Sequence, residues 1–240
     1  MDKKIINCEN SLTALNSLAQ VFSMAPSEVV EGMLELNCAC DVEASVLEKL
    51  LQSKFCENVK NLDFKVVWFH GTRLLREHTI YSEGLLPAYM MKDRVYNQLC
   101  TLVGDIDRIG ANPFGGSYAS KPAKEGPFGV LFRDVALTPM GGNGCFFGGP
   151  ELVEDLAGEM LGANQFELVN RFKKMTSPCV VHFIGSPTEN TLKRVLRFVY
   201  ETQVEGRDCI ISANSCTTCF DGEGYPVLPS DICKIEYLDF

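Results

Sequence analysis

The chain has 240 residues, of which 46% are hydrophobic and 22% are charged, so it can bury a sizeable core in one large domain or one domain with a small appendage. Its net charge is −9, and its basic residues are scattered. This pattern disfavours nucleic acid or an anionic membrane as the main partner, because phosphate contacts need clustered Lys and Arg. We expect no membrane partner and no cleaved secretory signal, since no apolar window is long enough to span a bilayer.

The eleven cysteines are an odd number without framework spacing, which indicates reduced thiols. We therefore expect the protein to act in a reducing cytosol, including that of another cell after export without a cleaved signal. The close pairs Cys38/Cys40 and Cys216/Cys219 have no histidine nearby in sequence. Structural zinc usually needs two knuckles or a Cys-His equivalent, so we interpret these pairs as structural thiols and expect no metal site.

Short helices are predicted first along the chain. Three segments of residues 10–55 have helical spacing of apolar residues or helix-start residues: "SLTALNSLAQVF", "PSEVVEGMLEL" and "DVEASVLEKLLQ". They predict a small helical N-terminal subdomain, residues 1–62. From residue 63 onward the pattern changes to strands separated by helices and glycine-rich loops.

The remaining elements alternate irregularly. The predicted strands are "FKVVWF", "FGVLFRDVAL", "PCVVHFIG", "RDCIISAN" and "CKIEYLDF". The predicted helices are "RLLREHTIYSEGL", "YMMKDRVYNQLCTLV", "ELVEDLAGEML", "QFELVNRFKKM" and "ENTLKRVLRFVYETQ". Residues 104–127 predict a long functional loop. Strands that do not alternate strictly with helices favour an α+β fold over a doubly wound sheet.

Three stretches could carry chemistry. In "KVVWFHGTR", His70 ends a predicted strand and Gly71 allows a ligand to approach the backbone; the alternative is a core histidine before a capped turn. In "GNGCFFGGPELVEDLAGEM", Phe146 and Phe147 leave a glycine-rich turn, either as a stacking face or as core residues. In "DGEGYPVLPSDI", Glu223 lies between two glycines, either in a cleft or solvated at the surface.

The order of these three stretches resembles the ADP-ribosyltransferase superfamily, in its poly(ADP-ribose)-polymerase and diphtheria-toxin branch with a His-Tyr-Glu motif. "HGTRLLREHTIYSEGL" matches the family's His-Gly-Thr and following Gly-Leu, and "GNGCFF" matches its Gly-x-Gly-x-aromatic-Phe turn. "EGYPVLPSDICKIEYL" places a glutamate shortly before the final strand. The resemblance covers about residues 64–240. It implies a catalytic domain at 63–240, with a split antiparallel sheet, flanking helices and an insertion at 86–141.

The resemblance implies that NAD is the cofactor and is consumed as a substrate. His70 would bind a ribose hydroxyl, and the backbone of Gly71 would hold the nicotinamide carboxamide. Thr72 would support the same region, and Arg73 would lie near the cofactor phosphates. Glu223 would be the catalytic residue, because its carboxylate would stabilise the cation-like transition state as nicotinamide leaves.

The family's two stacking tyrosines are both absent from the corresponding positions of this sequence. Gly144 and Phe146 belong to the glycine-rich turn, where Phe146 stands in place of the family's usual tyrosine and would stack on nicotinamide. The family's second stacking tyrosine corresponds to Ala157-Gly158 in this sequence. Tyr81 and Tyr225 are the candidate substitutes for it.

The implied function is a mono-ADP-ribosyltransferase that modifies a protein acceptor, and secretion as a toxin-like effector is one interpretation of it. A host protein such as ubiquitin, a bacterial or phage protein and a nucleic acid all remain open as acceptors. One alternative is a thiol hydrolase, in which Cys145 before a helix is deprotonated by His182. Another is an ADP-ribosyltransferase-like domain that binds NAD or a partner without turnover. An RNA 2′-phosphotransferase is disfavoured, since no basic groove is evident.

Overall fold

The structure is a computed structural model that describes residues 4–36, 43–56, 63–75, 79–113, 126–138 and 150–238. The fold is mixed α+β, which confirms the predicted class at that level. Its strands are β1 (Lys4–Asn7), β2 (Phe64–Leu74), β3 (Phe128–Val130), β4 (Ser177–Gly185), β5 (Cys219–Asp221) and β6 (Ile232–Tyr237).

The six strands form one sheet in the order β5-β3-β2-β4-β6, and β1 pairs with β2 off this path. The β1/β2 pair is parallel, with Ile6 opposite Val66. The β2/β3 and β4/β6 pairs are antiparallel, and Cys179 lies opposite Tyr237 in the latter. β1 is absent from our sequence-based prediction, because a four-residue strand is too short to show alternation.

The helices are α1 (Ser11–Phe22), α2 (Pro26–Leu34), α3 (Ala44–Cys56), α4 (Ile80–Glu83), α5 (Ala88–Val103), α6 (Arg133–Leu137), α7 (Glu151–Leu161), α8 (Gln165–Met175), α9 (Thr191–Gln203) and α10 (Cys209–Cys216). The predictions of α1, α2, α3, α5, α7, α8 and α9 are confirmed. None of these helices, within the part of the chain that is described, is long and apolar enough to cross a membrane.

Two predicted strands are partly or wholly wrong. "RDCIISAN" folds as helix α10, because the Asp208 carboxylate accepts hydrogen bonds from Ile210 N at 2.9 Å and Ile211 N at 3.0 Å and so caps the helix start. "FGVLFRDVAL" is extended only over β3, and its second half forms the short helix α6.

The helix predicted after His70 is also largely wrong. Arg73 and Leu74 belong to strand β2, and only α4 is helical among the described residues of "RLLREHTIYSEGL". The Arg73 guanidinium explains the extended backbone, since it donates to Lys173 O and to Thr176 O, each at 2.9 Å. These anchors lie about a hundred residues further along the chain.

The chain divides into two compact units, each built from several segments. The first contains Met1–Phe69, Gly129–Gly141 and Ile184–Phe220. Helix α9 is central to it and packs against α1, α2, α3 and α10. Trp68, Phe132 and Phe198 are among its fully buried side chains, and the rings of Phe132 and Phe198 lie 4.4 Å apart.

The second unit contains His70–Phe128, Gly142–Phe183 and Asp221–Phe240. Helices α5, α7 and α8 pack against one another around an apolar cluster that includes Leu99, Leu156 and Phe172. All the hydrogen bonds of the candidate site below lie within this unit. The division into residues 1–62 and 63–240 stays a prediction.

Candidate functional site

His70 lies where strand β2 leaves the protein interior. Residues 66–69 of the strand are buried, whereas His70 and the four residues after it are partly exposed. The predicted end of the apolar run is therefore confirmed, but the predicted end of the strand is wrong. Gly71 and Thr72 continue the extended backbone, so Thr72 does not cap a helix.

The ring of His70 is held by a backbone carbonyl. Its Nδ1 lies 2.6 Å from Phe128 O, and a carbonyl can only accept, so Nδ1 carries the proton. Burial lowers the pKa of His70 from its usual 6.5, and the hydrogen bond to Phe128 offsets part of this effect. The neutral ring that results leaves Nε2 with a lone pair that can accept a hydrogen bond from a ligand hydroxyl.

Glu223 lies at the tip of a tight turn with a left-handed backbone, φ +52°. The Asp221 side chain closes this turn, because its Oδ1 accepts from Glu223 N at 2.8 Å. The same Oδ1 accepts from Gly126 N, also at 2.8 Å. Gly224 N donates to Gly126 O at 2.9 Å, which adds a second connection between the turn and residue 126.

Residues 126–128 therefore connect the two predicted active-site residues. Gly222 N donates to Pro127 O at 3.0 Å, and the next residue, Phe128, accepts from His70. One tripeptide thus binds the His70 ring at one end and the Glu223 turn at the other. The turn has no space for a side chain at Gly222, because a Cβ there would lie 2.8 Å from Pro127 Cδ.

The Glu223 side chain is exposed, and its carboxylate has no hydrogen-bond or ion-pair partner among the described residues. The turn that carries it is fixed on its other side as well. Tyr89 OH donates to Gly224 O at 3.4 Å, and Leu85 and Val227 exchange backbone hydrogen bonds of 3.0 and 2.9 Å. The turn therefore has a fixed backbone, and it presents a carboxylate that is accessible to a ligand.

Arg73 has protein partners in the structure. Beyond its two carbonyl contacts, its Nε donates to Thr176 Oγ1 at 3.2 Å. These bonds place the guanidinium at the C-terminal end of α8, where a positive charge is favourable. Its role beside the cofactor phosphates stays a prediction.

Tyr225 lies closer in sequence to the turn than Tyr81. This residue is 74% exposed, and its backbone N donates to Gly222 O at 2.8 Å, so it belongs to the Glu223 turn itself. Tyr81 in α4 is bound to strand β6, since its hydroxyl accepts from Ile235 N at 3.2 Å. Both remain predictions as stacking residues.

The position that corresponds to the family's second tyrosine is unsuitable for an aromatic ring. Ala157 is fully buried in α7. A side chain on Gly158 would overlap the Asn112 carboxamide oxygen and would lie 3.2 Å from Gln165 Oε1. A stacking residue, if present, must therefore come from elsewhere in the chain.

Several residues of our predictions lie outside the described part of the chain. They are Gly144, Phe146 and Phe147 of the glycine-rich turn, Cys145 of the hydrolase alternative, and the pair Cys38/Cys40. His182, the second residue of the hydrolase alternative, is buried in β4, and its Nε2 lies 3.1 Å from Glu236 Oε2. That carboxylate belongs to the paired strand β6.

Two residues of the site are missing from our sequence-based prediction. Phe128 contributes a backbone carbonyl, which any residue type supplies, so no pattern could have revealed it. Asp221 had a usable signal, since an aspartate two residues before a glycine-flanked position is typical of an Asx turn.

Comparison of the chain with protein-family models, curated proteins and solved structures found no match. Among the described residues, no cluster of three or more His, Cys, Asp and Glu side chains could hold a metal ion. The site is thus defined by its own geometry: a neutral histidine acceptor and a free carboxylate joined through residues 126–128.

If the protein binds NAD as the family resemblance implies, its affinity for NAD should depend on pH through His70. Because the folded-state pKa is below 6.5, the neutral acceptor is present at pH 7 and 8 and is lost as the pH falls through that lowered pKa. Titration calorimetry should give a constant Kd between pH 7 and 8 and a weaker one in acid. His70→Gln, which cannot titrate, should bind more weakly with a flatter profile, and an equally steep profile in this variant would contradict the role of His70.

Proposed function

We propose that the protein is an NAD-dependent mono-ADP-ribosyltransferase with an ADP-ribosyltransferase-like fold. The observation that supports it best is the connection of His70 and the Glu223 turn through residues 126–128. The family resemblance assigns both residues to NAD: His70 to a ribose hydroxyl, and Glu223 to a hydroxyl of the nicotinamide ribose. Their shared attachment is what such a task needs, since it fixes their separation.

The proposed chemistry follows from these two groups. His70 Nε2 accepts a hydrogen bond from a ribose hydroxyl and orients the sugar. The bond between the ribose carbon and the nicotinamide nitrogen breaks, and its electron pair leaves with nicotinamide. The Glu223 carboxylate accepts a hydrogen bond from a hydroxyl of the same ribose and stabilises the positive charge that develops on it. An acceptor side chain then bonds to that carbon and loses its proton.

The proposed acceptor is a side chain of a protein, and transfer stops at a single ADP-ribose. Glu223 is exposed, and two exposed aromatic residues, Tyr225 and Phe128, lie in its turn and beside it. Exposed aromatic groups at a site suit contact with another protein. A toxin-like effector that acts in another cell's cytosol, on a target such as ubiquitin, fits this proposal.

A reducing cytosol is part of the proposal. Cys8, Cys179 and Cys216 are buried, and burial raises the pKa of Cys179 to about 12 and that of Cys216 to about 11. Such thiols remain protonated and unreactive at neutral pH. This supports a structural interpretation of Cys216.

The test is transfer of label from biotinylated NAD to proteins of a cell lysate. The wild type should label one or more lysate proteins, and Glu223→Gln should not. Cys145→Ala should label as the wild type does, because the proposed reaction needs no thiol nucleophile.

Equal labelling by the wild type and Glu223→Gln would overturn the proposal. Hydrolysis of peptide or isopeptide bonds that disappears only in Cys145→Ala would establish the thiol hydrolase instead. A wild type that transfers nothing but gains thermal stability with NAD would be a binding domain without turnover.

A further inference from the structure

We propose that Asp221 is a positioning residue: it holds the turn in the strained conformation that presents Glu223. The expected effect of Asp221 on catalysis rests on the proposed function. Asp221 is the last residue of β5, directly before the turn. It needs no contact with NAD to act. Its effect on the reaction would pass through the backbone of Glu223.

A single oxygen atom of Asp221 makes both of the relevant bonds. Oδ1 accepts from Glu223 N within the turn and from Gly126 N outside it. The first bond closes the turn, and the second fixes the turn to the tripeptide that also binds His70. Without this acceptor the Glu223 backbone N–H would lose its partner, and residues 222 and 224 would still be connected to residues 126 and 127 by backbone hydrogen bonds.

The Glu223 backbone supports this role because its conformation is unfavourable for its residue type. Only two non-glycine residues among those described have a positive φ, and the other, Ser23, ends helix α1. A side chain at φ +52° clashes with its own backbone, whereas glycine adopts this region freely. A glutamate with no side-chain partner in the described structure gains nothing there that offsets this strain, which indicates that the carboxylate is needed for function.

The second bond matters for the distance between the two active groups. Gly126 and Phe128 are separated by one residue, so a shift of the turn at Gly126 changes the separation of Glu223 from His70. Removal of Asp221 should therefore move the carboxylate and leave the His70 half of the site in place. Catalysis is sensitive to such shifts, and a displacement of about 1 Å can lower a rate about 100-fold.

The experiment compares Asp221→Ala with Asp221→Asn, which keeps the Oδ1 acceptor. Asp221→Ala should lower kcat for nicotinamide release by about 10- to 100-fold, with Kd for NAD within about twofold of the wild type. Asp221→Asn should stay within about threefold of the wild-type kcat. A merely structural aspartate would lower the melting temperature but leave kcat of the folded protein unchanged, and that result would overturn the proposal. Equal losses in the two variants would overturn it too.

A second measurement does not depend on NAD chemistry. Glu223→Gly should raise the melting temperature by about 2–4 °C, because glycine relieves the strain at this position. In an Asp221→Ala background the gain should be less than half as large, since the turn is then free to relax. Equal gains in both backgrounds would overturn the positioning role. The wild type could fail to consume NAD while Glu223→Gly still raises the melting temperature less in the Asp221→Ala background. In that case the proposed function fails, but the structural role of Asp221 stands.

Discussion

Replacement of Glu223 by glutamine is expected to lower kcat for nicotinamide release about 10²- to 10³-fold, the usual effect of removing one group that stabilises transition-state charge. Glutamine keeps the size of the side chain and its carbonyl oxygen but removes the negative charge. Kd for NAD should stay within about threefold, because the charge that Glu223 stabilises develops only as the glycosidic bond breaks. Liquid chromatography of released nicotinamide, with NAD binding measured by calorimetry, tests both quantities.

A matched control separates this effect from a general loss of acidic charge. Glu205, just after helix α9, is exposed, and its carboxylate has no hydrogen-bond or ion-pair partner among the described residues. Glu205→Gln should therefore release nicotinamide at the wild-type rate. If both glutamine variants kept full activity, Glu223 would not be catalytic.

Replacement of Arg197 by alanine is expected to give the largest loss of stability, about 3 kcal/mol in the free energy of unfolding. Arg197 is buried on helix α9, where it donates to Glu201 Oε1 at 2.7 Å and to Glu48 Oε1 at 3.4 Å. Both carboxylates are buried too, so alanine would leave two negative charges in the interior with fewer partners. Urea unfolding at neutral pH measures the change.

The control for Arg197 is Arg207, which donates to the other oxygen of Glu201 at 3.0 Å from a more exposed position. Arg207→Ala should cost at most about 1 kcal/mol, because the Arg207 side chain is 42% exposed and Glu201 would keep its ion pair with Arg197. The ion-pair network would be unimportant for stability if Arg197→Ala were no more destabilising than Arg207→Ala.

The sequence predicted the long amphipathic helices correctly. In α9, for example, apolar residues such as Val195 and Phe198 recur at helical spacing and are buried. The strand predicted where helix α10 lies was wrong, because the adjacent isoleucines of this segment are typical of a strand. In the structure Ile210 and Ile211 are both more than half exposed, and the helix buries the small residues Ser212 and Ala213 instead. The capping residue Asp208 was the better signal.

The sequence proposes the side chains of the candidate site, but it does not predict the backbone contacts that connect them. His70 and Glu223 came from a family resemblance, and the structure connects them through residues 126–128. The Phe128 carbonyl and the distant partners of Arg73 could not be predicted, because they depend on contacts between parts of the chain far apart in sequence. Local patterns carry no information about such pairings.

The most direct test of the account is a structure of the Glu223→Gln variant with NAD bound, since this variant should bind the dinucleotide and cleave it slowly. We expect the nicotinamide ribose to lie between His70 and residue 223, with one hydroxyl within hydrogen-bond distance of His70 Nε2 and another near the glutamine carboxamide. NAD bound elsewhere on the protein, or no NAD bound in crystals soaked with an excess of NAD, would contradict the central claim.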